Sequence, residues 1–270
     1  MSETIRPGAL YIVSTPIGNL DDITLRAIKV LGGVDVVAAE DTRKTGFLLE
    51  HLGIRKPLVS YFSYNEARRV PELMKTLLSG KSVAVVTDAG TPGISDPAYS
   101  VIREAVAAEI PVIAVPGASA LLAALISSGL PTDRFVFDGF LPVKKGRKTK
   151  FERLRGEERT IILYESPHRV LRTLEDIHKH LGDRNIAVAR ELTKKFEEVI
   201  RGKVSLVIES LRKRVLKGEY VVLVEGAQRG LPAGDGGERT RTPVDKGARV
   251  WQRFSDTPGC LTTRTPWSMR

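Results

Sequence analysis

The chain has 270 residues, of which 42% are apolar and 27% charged, and its formal net charge is +10. That length suits one large domain or two small ones, and the composition is ordinary for a soluble globular protein. No apolar run approaches the ~20 residues of a membrane helix. Residues 1–8 lack an apolar signal segment, and the single cysteine, Cys260, excludes an intrachain disulfide or a cysteine zinc site.

The first predicted strand is Ala9 to Thr15, followed by the turn Pro16-Ile17-Gly18-Asn19. Asp21 or Asp22 is the expected cap of a helix running to about Leu31. Val34 to Ala39 reads as a second strand, Thr45 to Leu52 as a helix and Pro57 to Phe62 as a third strand. A helix from Glu66 to Leu78 stops at Gly80. Ser82 to Thr87 is apolar enough to be buried on both faces. A Gly/Pro-rich loop spans Asp88 to Pro97, then come a helix to about Glu109 and a strand from Pro111 to Val115. This alternation predicts an α/β protein with a mostly parallel sheet.

A second set of elements follows Pro116-Gly117: helix Ala118 to Ser128, strand Phe135 to Leu141 and a basic connector, Lys144 to Lys150. Strand Thr160 to Tyr164, helix Arg169 to Leu181 and strand Asn185 to Arg190 continue it. An extended stretch near Val199, helix Ser205 to Arg214 and strand Glu219 to Val224 close it. The predicted organisation is a domain over 8–116, a second over 117–228 and an atypical tail over 229–270. The tail holds both tryptophans and the cysteine, and it lacks Ile and Tyr. No helical or strand period survives in it, so it is expected to be disordered, with a composition resembling a shifted reading frame. It carries +4 of the charge, which leaves +6 on the rest. A basic surplus attracts polyanions, RNA above all, although a merely soluble basic protein shows it too.

Ligands of open α/β sheets bind beyond the carboxyl ends of the strands. Four loops fall there: Ser14 to Asn19, Glu40 to Arg43, Thr87 to Pro92 and Pro116 to Ala120. Their small residues let backbone groups approach a ligand. Any one of them reads as an ordinary turn; four at one edge favour a cleft. GxxxxGK[ST] and GxGxxG are absent, so the cleft has no dedicated phosphate cradle, which suits a ligand without phosphates. The histidines, His51, His168, His178 and His180, make no HExxH pair, and no metal is expected.

Several strings carry a resemblance. They are Tyr11-Ile-Val-Ser-Thr-Pro-Ile-Gly-Asn-Leu20, Ala39-Glu-Asp-Thr-Arg43, Thr87-Asp-Ala-Gly-Thr-Pro-Gly-Ile-Ser-Asp-Pro97 and Pro116-Gly-Ala-Ser-Ala120. Gly139-Phe-Leu-Pro142, Tyr164-Glu-Ser-Pro-His-Arg169 and Ala189-Arg-Glu-Leu-Thr-Lys194 complete the set. In this order, over residues 8 to 228, they resemble the rRNA small subunit methyltransferase I family, a branch of the tetrapyrrole-methylase-like (class III) methyltransferases. The resemblance implies a two-domain fold with a mostly parallel N-terminal sheet, a mixed C-terminal sheet and S-adenosylmethionine in the interdomain cleft. It further implies a cytoplasmic homodimer that 2′-O-methylates a cytidine in the decoding region of 16S rRNA within the small ribosomal subunit.

Carried over by position, it puts Asp88, Ala89, Gly90, Thr91 and Ile94 near the cofactor, with Ser119, Ala120 and Tyr164, and with Pro16 on the floor. Arg43 reads equally as a phosphate ligand or as the partner of Asp41. Lys144, Lys145, Arg147, Lys148 and Lys150 read as phosphate contacts beside the cleft. Arg190 is a further RNA candidate, or forms an ion pair with Glu191. Lys194 and Glu165 are the catalytic candidates, Lys194 as a base or a phosphate-orienting group. His168 reads as a helix cap before it reads as a base. Two rival classes stand beside this one: a methylase of the same fold acting on a small molecule, and a non-catalytic RNA-binding protein.

Overall fold

The computed structural model describes residues 4–227; the tail at 229–270 lies outside them. Five short strands build the first sheet: β1 (Leu10–Val13), β2 (Val36–Ala39), β3 (Leu58–Ser60), β4 (Val83–Val86) and β5 (Val112–Val115). All pair in parallel, in the order β3-β2-β4-β1-β5. Sequence follows position in the sheet. Central β1 and β4 are apolar and buried at every residue, whereas edge strands β3 and β5 are half-exposed.

The intervening helices are α1 (Leu25–Gly33), α2 (Thr42–His51), α3 (Glu66–Leu78) and α4 (Tyr99–Ala107). The expected cap of the first helix needs correction. Thr24 accepts from the Ala27 amide at 3.1 Å, whereas Asp21 and Asp22 belong to a single 3₁₀ turn capped by Asn19. Helix α2 begins three residues before its predicted start because Asp41 caps it through the Arg43 amide.

Helix α5 (Ala120–Ser128) leads into a second sheet of β6 (Phe135–Phe140), β7 (Thr160–Glu165), β8 (Asn185–Arg190), β9 (Glu198–Lys203) and β10 (Tyr220–Val224). Its order is β6-β7-β10-β8-β9. Only β6 and β7 run parallel, so the sheet is mixed. One face packs against α6 (Arg147–Leu154), α7 (Val170–Leu181) and α8 (Val204–Arg212). The other face receives Leu121, Ala124 and Leu125 of α5 together with Ile17 from the loop after β1. That shared cluster fixes the first sheet's carboxyl edge against the second sheet.

From Arg147 onward the basic connector is a helix, α6, which Lys144 and Lys145 precede. Arg147, Phe151 and Leu154 form its buried face at helical spacing, and the lysines between them point outward. Charge density hid the period. His168 does not cap α7; Arg169 occupies that position, and no side chain makes the capping bond.

Candidate functional site

The loops after β1, β4 and β5 are tied to one another. Thr15 and Gly90 exchange backbone hydrogen bonds, with the Thr15 amide donating to Gly90 at 2.9 Å and the Gly90 amide returning at 3.1 Å. The Thr15 hydroxyl donates to the Thr87 carbonyl, and the Ser14 and Thr91 hydroxyls meet at 2.9 Å. Gly90 holds φ +87°, a left-handed conformation that costs glycine nothing. A Cβ on Gly117 would lie 2.9 Å from that of Ser14, so only glycine lets these loops approach so closely.

Beyond them opens a cavity of about 350 Å³ between the two sheets. The first half contributes Ile17, Ala89, Gly90, Thr91, Ile94, Ser95 and Asp96. The second contributes Ser119, Ala120, Phe140, Tyr164 to Pro167, and Gly218 to Val221. Tyr164 lies edge-on to Phe137 and Phe140, with centroids at 4.9 and 5.7 Å, which makes an aromatic wall.

Of the residues the sequence assigns to the cofactor, Ala89, Gly90, Thr91, Ile94, Ser119, Ala120 and Tyr164 line this one cavity. Pro16 and Asp88 do not. Ile17 takes the place of Pro16 in the wall. The Asp88 carboxylate turns away to accept from the Asp41 amide at 3.1 Å and from Lys44 Nζ at 2.6 Å.

Asp96 is the chemically distinctive lining residue, and sequence reasoning did not single it out. Burial pushes its carboxyl up to about 6, and the charges of Glu40 and Asp88 add to that, while a hydrogen bond from Thr87 opposes it. A carboxylate in this state favours a cationic ligand. The signal lay in Gly93-Ile-Ser-Asp-Pro97, at the end of the loop after β4.

Neither catalytic candidate is a free base. The Glu165 carboxylate is fully enclosed, accepting from Ser166 N–H at 2.9 Å and Thr173 O–H at 2.6 Å, beside Arg169 at 3.3 Å. Lys194 Nζ sits between Glu191 at 3.0 Å and Glu219 at 3.1 Å. Burial alone would lower its pKa, but the two carboxylate bonds prevail and raise it, so the ammonium form persists at neutral pH. Its aliphatic stem crosses Gly18, where a Cβ would overlap it. Lys194 therefore links the first loop to Glu219 at the cavity wall.

The basic candidates divide. Lys144, Lys145 and Lys148 are exposed. Arg147 is a correction: it is buried, donating to Asp176 at 2.7 Å, the Thr173 hydroxyl at 2.9 Å and the Pro142 carbonyl at 3.1 Å. Lys150 pairs with Asp138 at 2.7 Å. Arg43 makes a two-point pair with Asp41 while staying exposed. Arg190 donates to the Lys217 carbonyl, and Glu191 pairs with Lys194 rather than with Arg190. Among the described residues no group of three or more His, Cys, Asp or Glu side chains is placed to hold a metal ion, and no helix is long and apolar enough to cross a membrane.

The family model of tetrapyrrole (corrin/porphyrin) methylases matches residues 9–208. A "Ribosomal RNA small subunit methyltransferase I" from Synechocystis sp. is 51% identical over 82% of this chain and 80% of its own length. One from Thermotoga maritima is 47% identical over 82% of this chain and all of its own length. The chain belongs to the ribosomal RNA small subunit methyltransferase I family. A crystal structure of uroporphyrin-III C-methyl transferase from Thermus thermophilus, complexed with S-adenyl homocysteine, shares the fold. Its TM-score is 0.55 at 19% identity, over 80% of this chain and 96% of that one. Membership of the methyltransferase I family accounts for the parallel sheet, the mixed sheet and the cleft between them. The wall built from Ser95, Asp96, Phe140 and Gly218 to Val221 was not foreseen.

Proposed function

We propose that the chain is an S-adenosylmethionine-dependent methyltransferase that transfers a methyl group to the 2′-hydroxyl of a cytidine in the decoding region of small-subunit (16S) rRNA. One observation carries the reading in this molecule: loops from both sheets converge on one cavity that pairs an aromatic wall with the Asp96 carboxylate. The methyltransferase I relatives supply the substrate class. The proposal includes a division into lobes over 8–116 and 117–228, a cytoplasmic location and a homodimer. Leu122 and Ile126 of α5 leave apolar surface exposed, of the kind a second copy covers.

The residues present fit the cofactor. Gly90 presents bare backbone to the cavity, Tyr164 and Phe140 offer apolar faces, and Asp96 answers a positive charge. S-adenosylmethionine supplies a methyl group already activated by a sulfonium centre. The protein's part is then to bind, align and exclude water. Alignment is worth roughly 7–11 kcal/mol, whereas a general base adds only about 10²–10⁴-fold. The described side chains agree with that balance, since Glu165 is sequestered and Lys194 is protonated. Lys194 holds Glu219 in place, and Glu165 anchors the end of β7 beside Tyr164.

Calorimetry with S-adenosylmethionine, paired with labelled-methyl transfer to purified small subunits and to tetrapyrrole precursors, tests the reading. Binding with transfer to the subunits is expected. Transfer to the small molecule alone refutes the substrate, and failure to bind S-adenosylmethionine favours a non-catalytic RNA-binding protein.

A further inference from the structure

Three exposed aromatics stand on the first sheet's carboxyl edge outside the cavity. Tyr64, in the loop between β3 and α3, is 97% exposed, and Tyr99, the first residue of α4, is 70% exposed. Phe62 packs edge-on against Tyr64, with centroids 6.5 Å apart. Large rings left in water on one edge of a sheet call for a ligand.

The turn that presents them is well braced. Asn65 Oδ1 accepts from the Phe62 amide at 2.9 Å, Asn65 Nδ2 donates to the Ser60 carbonyl at 3.2 Å, and the Asn65 amide donates to the Phe62 carbonyl at 2.9 Å. Glu66 then bridges two segments. It accepts from Tyr61 O–H at 2.8 Å on one oxygen and from Ser100 O–H at 3.3 Å on the other. The Tyr64 turn is thereby fastened to the first turn of α4, beside Tyr99. Three residues before Tyr99, Asp96 lines the cavity. Strands β3 and β4 lie two places apart, about 10 Å at ordinary strand spacing. The aromatics therefore stand on the same sheet edge as the cavity, and Arg43, in the helix that follows the intervening strand β2, has a side chain 89% exposed.

We infer that Phe62, Tyr64 and Tyr99 form a stacking platform for unpaired bases of the RNA next to the nucleotide being methylated. The inference rests on the RNA-methylating reading above. Its chemistry is that of single-strand recognition, in which rings accept base faces without reading base edges. The net charge of +6 on the chain before residue 229 suits a polyanion better than an apolar protein partner.

The test uses the full chain with Tyr64→Ala, Tyr99→Ala and Tyr64→Phe. Affinity for a short single-stranded RNA oligonucleotide is measured across salt concentrations, beside S-adenosylmethionine affinity and methyl transfer to small subunits. Each alanine variant is expected to weaken RNA binding about 5- to 150-fold. Salt slope and cofactor affinity stay unchanged, and Tyr64→Phe restores most of the binding. Alanine variants that bind RNA like the wild type, while wild-type transfer is intact, overturn the platform and leave the methylation reading standing. A slope reduced by about 0.7 marks a lost phosphate contact and also overturns it. Methyl transfer to small subunits that falls while affinity for the free oligonucleotide holds assigns the surface to a ribosomal protein instead. A wild-type chain that neither binds RNA nor methylates subunits overturns the reading beneath the platform as well.

Discussion

Asp96 holds its charge against both burial and two neighbouring carboxylates, so it is the residue with most to gain from a cation. Its carboxyl is raised from the ordinary 3.8 to about 6. The folded chain thus binds that proton more readily than the unfolded chain does. The contribution of Asp96 to the stability of the free protein is therefore most favourable below pH 4, falls as pH rises through 4 to 6 and stays lower above, opposite in sign to that of lowered carboxyls such as Asp41 and Glu157. Removing the charge reverses the cost: Asp96→Asn is expected to stabilise the free protein at pH 7.5 by about 1 kcal/mol, or about 2–4 °C in melting temperature by calorimetry. The same variant should bind S-adenosylmethionine about 10- to 150-fold more weakly. Wild-type affinity should fall between pH 7 and pH 5 as the carboxylate protonates. A variant that loses stability, or keeps its affinity, refutes this role. Gly18 makes a second test. A methyl there displaces the Lys194 stem and with it the bond to Glu219. Gly18→Ala is expected to lower kcat at least tenfold with its circular dichroism unchanged; unchanged turnover refutes the linkage.

Among the elements, legibility tracked burial. Apolar runs such as Val83 to Val86 and Tyr220 to Val224 declare central strands because both faces are covered. The boundaries of β8 matched those expected. Helix α6 was missed because only three of its eight residues face inward and the rest are mostly charged. The cavity was legible where glycine and small residues cluster in one loop. It was illegible where β10 and the turn before it reach it from an antiparallel position, which local sequence does not reveal. The same contrast separates structural from RNA-facing cations. Arg147→Ala removes a buried guanidinium from a partly exposed Asp176 and is expected to cost about 1–3 kcal/mol in urea unfolding, with little change in the salt slope of RNA binding. Lys144→Ala and Lys145→Ala should leave stability alone and reduce that slope by up to roughly one each on duplex RNA. The opposite pattern would return Arg147 to the RNA-binding surface.

At the scale of the whole molecule, two sheets of different topology meet over one hollow. The parallel sheet presents strand ends and tight glycine turns; the mixed sheet presents Tyr164, Phe140 and the Glu219 wall. Neither sheet encloses a ligand alone. Helix α5 and Ile17, packed together on β8 and β10, hold the two at a fixed opening. The motifs Thr87 to Pro97 and Tyr164 to Arg169 lie far apart in the chain and converge only through that packing. We propose that this hollow serves to methylate ribose. Mass spectrometry of small-subunit RNA from cells lacking this gene, before and after treatment with the purified protein and S-adenosylmethionine, addresses it most directly. The expected result is one 2′-O-methylcytidine in the decoding region, absent before treatment and restored by it. An unmodified RNA after treatment, or a methyl group on a base, would contradict the claim.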